Sequence, residues 1–466
     1  MRSVIIFIIG TGILLIVNAC NKNNFLNEKP DQSLVIPSSL RDYQAILDND
    51  YVMNGIVSGT GLVPAMGEMG ADDYTISQNY FNNLITPFKK NCVTWSTSIY
   101  TGETVWDWNI PYISIFYANT ALEGIGKISP NDAEIESWNN IKGSALFYRA
   151  HLFYQLAQVF APPYDKLTAA TEPGIPLRLS TTATEKLDRS SLEDTYRRVI
   201  HDLLEAKAIL PEQPLFKTRP SKTSANALLA RVYQTMEIYD SALIYCNEAL
   251  AANSALLDYN LLDTTTTFSF PRFSDEVIFN AIMISSAGYP YPTTAGINIV
   301  DTSLFQSYVS DDLRRPCFFR NYGNGNTALG GLSGGYHFFA GIATDELYLI
   351  KSECLARAGN IPDAMEKLNT LLIKRWKTGT FIPFAASSED EALNIILSER
   401  RKELCFRGLR WTDLRRLNKD NRFAKTLYRY INNTWYSLPP GDKRYTYPIP
   451  DDVLSFNPTM TQNKRE

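Results

Sequence analysis

Apolar residues recur at helical spacing along much of the chain. Trp106, Ile110, Ile113, Phe116, Tyr117, Ala121 and Leu122 fall on one helical stripe and predict a helix over 106–125. A second long helix is predicted over 134–160, stopped by Pro162-Pro163. Ser191 and Asp194 have the character of N-terminal capping and dipole residues, and the helix they open runs to Pro211. A shorter one is predicted over 38–49, with Leu40, Tyr43, Ile46 and Leu47 on one face.

A helix pair over 221–251 fits a tetratricopeptide-like template, a helix–turn–helix with small residues where the helices cross. Leu229, Ala230 and Tyr233 lie on its first helix, and Ala242 and Ala249 take the small positions of the second. A second match runs over 345–373, with Ser352 and Ala364 at corresponding places and the turn Ala358-Gly359-Asn360 between them. The stretch between, about 253–343, breaks the pattern. It holds a Thr run, Tyr289-Pro290-Tyr291-Pro292 and a Gly/Asn-rich run from Asn321 to Gly335. Val277–Ile284 reads as a strand. Residues 50–95 are likewise irregular. Loop-rich segments held on a rigid scaffold are where binding residues concentrate.

The N-terminus has a different logic. Met1-Arg2 precedes an apolar run from Val4 to Val17 that ends in Ala19-Cys20. The run is too short for a comfortable span, which needs about 20 apolar residues. It reads as a signal peptide over 1–19. The small residue before Cys20 resembles a bacterial lipobox, so Cys20 is the expected lipidation site, with a tether over 20–37; an ordinary cut nearby is the alternative. The other cysteines, Cys92, Cys246, Cys317, Cys354 and Cys405, form no CxxC and read as small apolar filler.

Composition adds exclusions. Hydrophobic residues make up 45% and charged residues 20%, so the chain can bury a large core. A net charge of -4 argues against a dedicated nucleic-acid binder. Three histidines argue against a multi-histidine metal site, and no metal or cofactor is expected. The chain has 26 Tyr, 23 Phe and 7 Trp, which suit core filling but also the amphipathic faces of sugars.

Catalytic motifs are weak. Gly331-Leu332-Ser333-Gly334-Gly335 satisfies G-x-S-x-G but lacks the strand–turn–helix context and a later acid and histidine. Gly323-x-Gly325-x-x-Ala328 lacks a following helix. Asp72-Asp73 and Asp311-Asp312 read as solvated turns. The segment Glu399–Arg416, ERRKELCFRGLRWTDLRR, has seven basic residues. It reads as a packed helical segment with internal ion pairs in preference to a basic patch.

That same segment resembles the helical signature of the SusD/RagB family of outer-membrane nutrient-binding lipoproteins. Four more pieces agree in order: the lipobox with Phe25-Leu26 and Pro30; Trp106 … Tyr112 … Ala118-Asn119 … Leu122; Gly143 … Phe147-Tyr148-Arg149-Ala150 … Tyr154; and Tyr447-Pro448-Ile449-Pro450 … Asn457-Pro458 … Gln462-Asn463. Two features depart from the family pattern: the first acid after Cys20 is Glu28, and no Gly-aromatic ending follows Asn463. The resemblance implies a mainly α, tetratricopeptide-like superhelix with an irregular loop-rich lobe and a few short strands. It implies one domain over 38–466, with the scaffold at about 106–251 and 345–416 and the ligand lobe at about 50–105 and 253–343. It also implies a non-catalytic protein, lipid-anchored to the outer membrane and facing the exterior. Such a protein captures oligosaccharide and passes it to a SusC-type TonB-dependent transporter. Alternatives are a peptide-capturing member, a scaffold lipoprotein that binds only proteins, and an exported glycosidase.

By order along the chain, the family's ligand loops correspond to the stretch before Trp106 and to the insertion. The expected stacking residues are Trp95, Tyr74 and Tyr80 from the first and Tyr289, Tyr291 and Tyr322 from the second. Trp95 leads, because an indole offers the largest face. Asn79, Asn82, Asn324 and Asn326 are the expected hydroxyl partners, since an amide both donates and accepts.

Overall fold

The computed structural model of the chain describes residues 37–466 apart from 56–60, 85, 183, 286–297, 322 and 324. Short helices come first: α1 (Leu40–Leu47), α2 (Met66–Gly70), α3 (Gln78–Asn83) and α4 (Pro87–Val93). The scaffold follows as α5 (Trp106–Ile125), α6 (Ile135–Phe160), α7 (Leu192–Ile209), α8 (Lys222–Thr235) and α9 (Tyr239–Ala252). After the insertion come α10 (Thr344–Arg357), α11 (Ile361–Leu372), α12 (Glu389–Glu403) and α13 (Arg410–Leu417). The fold is mainly α. No helix among the described residues is long and apolar enough to cross a membrane.

Capping explains the boundaries. The Ser191 hydroxyl accepts from Asp194 N at the start of α7, and Ser221 with Ser224 forms a reciprocal capping box on α8. Successive scaffold helices pack on one another. The predicted repeat pairs, α8–α9 and α10–α11, adjoin through α9 and α10 despite the insertion between them. Buried ion pairs clasp the stack. Arg149 on α6 makes a bidentate pair with Asp202 on α7 at 2.8 and 3.0 Å and donates to Asn119 on α5 at 3.0 Å. These polar groups are satisfied where an unpaired charge would be costly.

The irregular segments pair with each other. Strand β1 (Tyr74–Ile76) from the early stretch joins β3 (Asn298–Val300) from the insertion, antiparallel. Between them in sequence, β2 (Val277–Phe279) pairs with β6 (Ile342–Ala343), closing the base of the insertion. A hairpin of β4 (Phe319–Asn321) and β5 (Asn326–Ala328) lies within it. Gly61 has φ +74, and a Cβ there would lie 2.3 Å from the Met283 carbonyl oxygen, so only glycine lets these two segments touch. A last hairpin, β7 (Leu427–Ile431) with β8 (Thr434–Leu438), follows the helices.

The segment 399–416 spends all seven of its basic side chains internally. Arg400 pairs with Asp413, Arg401 with Asp73, and Lys402 with Glu399 and Asp312. Arg407 pairs with Asp345, Arg410 with Asp72 and Arg416 with Glu353, while Arg415 donates to main-chain carbonyls of Gln158 and Ala161. No cation of this segment remains for a polyanion. The five cysteines of the described residues are unpaired, four of them buried, as filler should be.

The spacing predicts helix α5, and Ile110, Tyr117, Ala121 and Leu122 of its stripe are buried or packed against the core, whereas Trp106, Ile113 and Phe116 are exposed. Trp108, Pro111, Ile115, Ala118 and Ala121 are the buried set. Helix α5 is apolar on nearly every side, so periodicity alone cannot choose which face turns inward.

Candidate functional site

Asp107 fixes the start of α5. It is fully buried, and its carboxylate accepts from Ala65 N at 2.5 Å and Met66 N at 2.8 Å, capping α2. An acid at a helix N-terminus is electrostatically favourable for both helices it touches. With Asp107 held, its neighbour Trp106 is directed outward, 50% exposed. Behind it Trp108 packs edge-on against Phe160 at 4.9 Å and tilted against Tyr112 at 4.9 Å. Tyr112 donates its hydroxyl to Pro176 O at 2.8 Å, and burial pushes its phenol far up, so it stays neutral.

Trp106 and Ile113 form a ridge between two depressions. On one side lies an apolar hollow of about 270 Å³, lined by Tyr51, Val52, Ile110, Ser114, Ile284 and Ser285. It is here that the early stretch and the insertion meet α5. On the other side a groove of about 910 Å³ runs along α5 past Phe116 to Phe456. Its rim is polar, with Asn109, Arg178, Glu185, Lys186 and Asn457. Arg178 is oriented by bonds to the carbonyls of Thr182 and Glu185, at 2.8 and 2.9 Å. An open groove with aromatic walls and a few convergent polar groups is suited to an amphipathic ligand whose apolar faces stack and whose hydroxyls bond at the rim.

The expected site residues that the structure describes do not converge on one groove. Trp95 and Tyr74 are core residues, 2% and 3% exposed. The Trp95 indole donates to Gly70 O at 2.9 Å and the Tyr74 hydroxyl to Met69 O at 2.7 Å. Burial pushes the Tyr74 phenol up to about 12. Tyr80 is half-buried, packed against the small cluster of Phe81, Leu84, Val93 and Ile431. Asn79 and Asn82 are exposed on α3, and Asn326 lies on the β4–β5 hairpin, paired with Asn321. Tyr289, Tyr291, Tyr322 and Asn324 lie outside the described residues, as does Cys20. Trp106, Tyr51, Phe116 and Phe456 are missing from that set. A Trp two residues ahead of a second Trp at a helix start was the available signal, because both cannot face the core.

Two other clusters carry no chemistry of their own. Glu276, Asp345 and Glu403 bring carboxylate oxygens within 4.8 Å of one another. Arg375 binds Glu403 and Glu276, Arg407 binds Asp345 and Arg314 binds Glu403, so guanidinium groups already occupy the place of a cation. Ser333 bonds locally to Gly335, while His337 Nδ1 meets Ser285 Oγ at 2.9 Å, so they do not pair as nucleophile and base.

Two family models match this chain. One, described as starch-binding associating with outer membrane, matches residues 24–234; the other, described as the SusD family, matches residues 345–465. The chain is 24% identical to the SusD-like protein P2 of Formosa agariphila, across 76% of this chain and 79% of that relative. Among solved structures it is similar to a SusD superfamily protein from Bacteroides fragilis, with a TM-score of 0.73 and 23% identity over 92% of this chain and 100% of that one. It is similar also to a putative sugar binding protein from Bacteroides vulgatus, with a TM-score of 0.70 and 20% identity over 92% of this chain and 99% of that one.

Proposed function

The chain belongs to the SusD/RagB family, and from that premise we propose that it is a non-catalytic lipoprotein that captures oligosaccharide at the ridge around Trp106. Lipid on Cys20 tethers it to the outer membrane, facing outward, and a SusC-type TonB-dependent transporter receives the ligand. The observation that carries the reading is a half-exposed indole between two open hollows, with neutral and charged polar groups on the rim. Sugar rings stack their C–H faces on such aromatics. An open groove with few polar contacts gives binding that can be released, as hand-over requires. The descriptions of similar proteins, one of them a putative sugar binding protein, lean the same way.

Titration calorimetry of the detergent-solubilised lipoprotein against maltoheptaose, cellohexaose, laminarihexaose and xylohexaose tests capture. Binding lost on Trp106→Ala supports the site. Release of reducing ends would instead make the protein an enzyme. Native purification in mild detergent tests the partner: a much larger transporter should copurify, and a lone monomer counts against it.

A further inference from the structure

We infer that the β7–β8 hairpin carries a second carbohydrate site, a neutral aromatic platform of Tyr428, Tyr430 and Trp435 that stacks on the pyranose faces of a polysaccharide chain. This deepens the proposed function and rests on it.

The register defines the platform. Tyr430 pairs with Trp435 and Tyr428 with Ser437 across the two strands. Those four residues share the outer face, because side chains alternate along a strand. They are three large aromatics and a serine, with no charge among them. The aromatics are 65%, 56% and 69% exposed in the order Tyr428, Tyr430, Trp435. Tyr430 and Trp435 lie 5.0 Å apart and tilted, and Tyr428 meets Trp435 edge-on at 6.4 Å. The three rings thus brace one another while leaving outward faces open.

The inner face explains why the platform is rigid. Leu427, Arg429, Ile431 and Leu438 are buried. Arg429 donates to Val93 O, Met69 O and Ala71 O at 2.6, 3.1 and 2.6 Å, so the hairpin is bolted to the body of the protein. The turn is Asn432-Asn433, both in the left-handed region at φ 50 and 60, as a tight two-residue hairpin needs. Preorganised rings lose little entropy on binding.

A polar rim completes the site. Asn432 Nδ2 donates to Asn82 Oδ1 at 2.7 Å, and the Tyr430 hydroxyl donates to Asn433 Oδ1 at 3.2 Å. Hydroxyl-tipped rings beside paired amides match a neutral sugar, with its apolar face and hydroxyl edge, better than an acyl chain or a charged peptide. The platform shares no residue with the groove beside Trp106, so it is a separate grip, suited to a polymer long enough to reach both.

Affinity gel electrophoresis of the mature chain in starch, xylan and laminarin, with the hexa- and heptasaccharide titrations beside it, tests this. Tyr430→Ala/Trp435→Ala should weaken retention by the bound polysaccharide about 10-fold, as loss of stacked faces predicts. Short oligosaccharides should bind this variant as they bind wild type, with unchanged thermal unfolding. Tyr430→Phe, which keeps the ring, should retain polymer binding. Unchanged polymer affinity in the double variant, with wild type binding normally, overturns the platform and leaves the Trp106 site standing. No binding of any of these glycans by wild type overturns the proposed function, and the platform with it. A concentration-dependent dimer that the double variant abolishes also overturns the inference, since a second copy would then cover the rings.

Discussion

The guanidinium of Arg429 lies 4.8 Å from the ring centroid of Trp95 and 4.9 Å from that of Tyr74. One buried cation thus covers both aromatics that the sequence puts first as ligand stackers, and it also pins the hairpin whose other face carries open rings. Trp95 sits just past the end of α4 at φ 52, a left-handed position where glycine is usual. A bulky residue is held there only because burial and the cation outweigh the strain.

Trp95→Ala should therefore act on stability. Removing a buried indole costs about 3–5 kcal/mol, and the unfolding midpoint should fall by several degrees. Oligosaccharide affinity per folded molecule should be unchanged. A stable variant with weakened binding would return Trp95 to the ligand site.

Trp106→Ala should do the opposite. The side chain is half exposed and makes no cap, so stability should move by roughly 0.5 kcal/mol or less. Affinity for the cognate oligosaccharide should drop about 10-fold, the worth of roughly 1.4 kcal/mol of stacking. Equal affinities in wild type and variant, measured by calorimetry, would move the site elsewhere.

The contrast between these two tryptophans shows what the sequence makes legible. Helices α5–α11 follow from apolar spacing, serine caps and proline stops, which are local. The seven basic residues of 399–416 read correctly as packed, but only Arg400, Lys402 and Arg416 find acids within the segment, whereas Arg401, Arg407 and Arg410 pair with Asp73, Asp345 and Asp72 far away in sequence. Trp95 and Trp106 differ only in what surrounds them, and that is set by partners far away in sequence. Arg429 is over three hundred residues from Trp95. The open rings of Tyr428, Tyr430 and Trp435 had a local signal, alternation about Asn432-Asn433, but alternation does not say which face is covered.

Close packing gives a sharper test of the scaffold. A Cβ on Gly124 of α5 would lie 2.1 Å from ring atoms of Tyr43 on α1. Gly124→Ala must push α1 away, and overpacking of this kind costs roughly 1–3 kcal/mol. Adding Tyr43→Ala should recover part of the loss, since the ring no longer blocks the methyl. Chemical denaturation of the two single variants and the double closes the cycle. Simple additivity would mean that the contact does not set the position of α1.

Stability should also depend on pH through Glu68. Burial, reinforced by the nearby Asp73 carboxylate, pushes Glu68 up to about 8, against the pull of Gly408 N–H and Arg410. Its Oε2 accepts from Gly408 N at 3.2 Å, and its Oε1 has no hydrogen-bond partner among the described residues. In the unfolded chain the same carboxyl titrates near 4.5. Between these values the folded state binds a proton that the unfolded state has released. Linkage then requires stability to fall as pH rises from about 4.5 to about 8, and to level off above. Glu68→Gln keeps an acceptor for Gly408 N–H and cannot ionise. Its unfolding midpoint should lie above that of wild type at pH 8.5, and the gap should close towards pH 5. Thermal melts of both chains across that range read the difference directly. Parallel curves would show that Glu68 is already ionised in the fold, with Arg410 strong enough to hold it so.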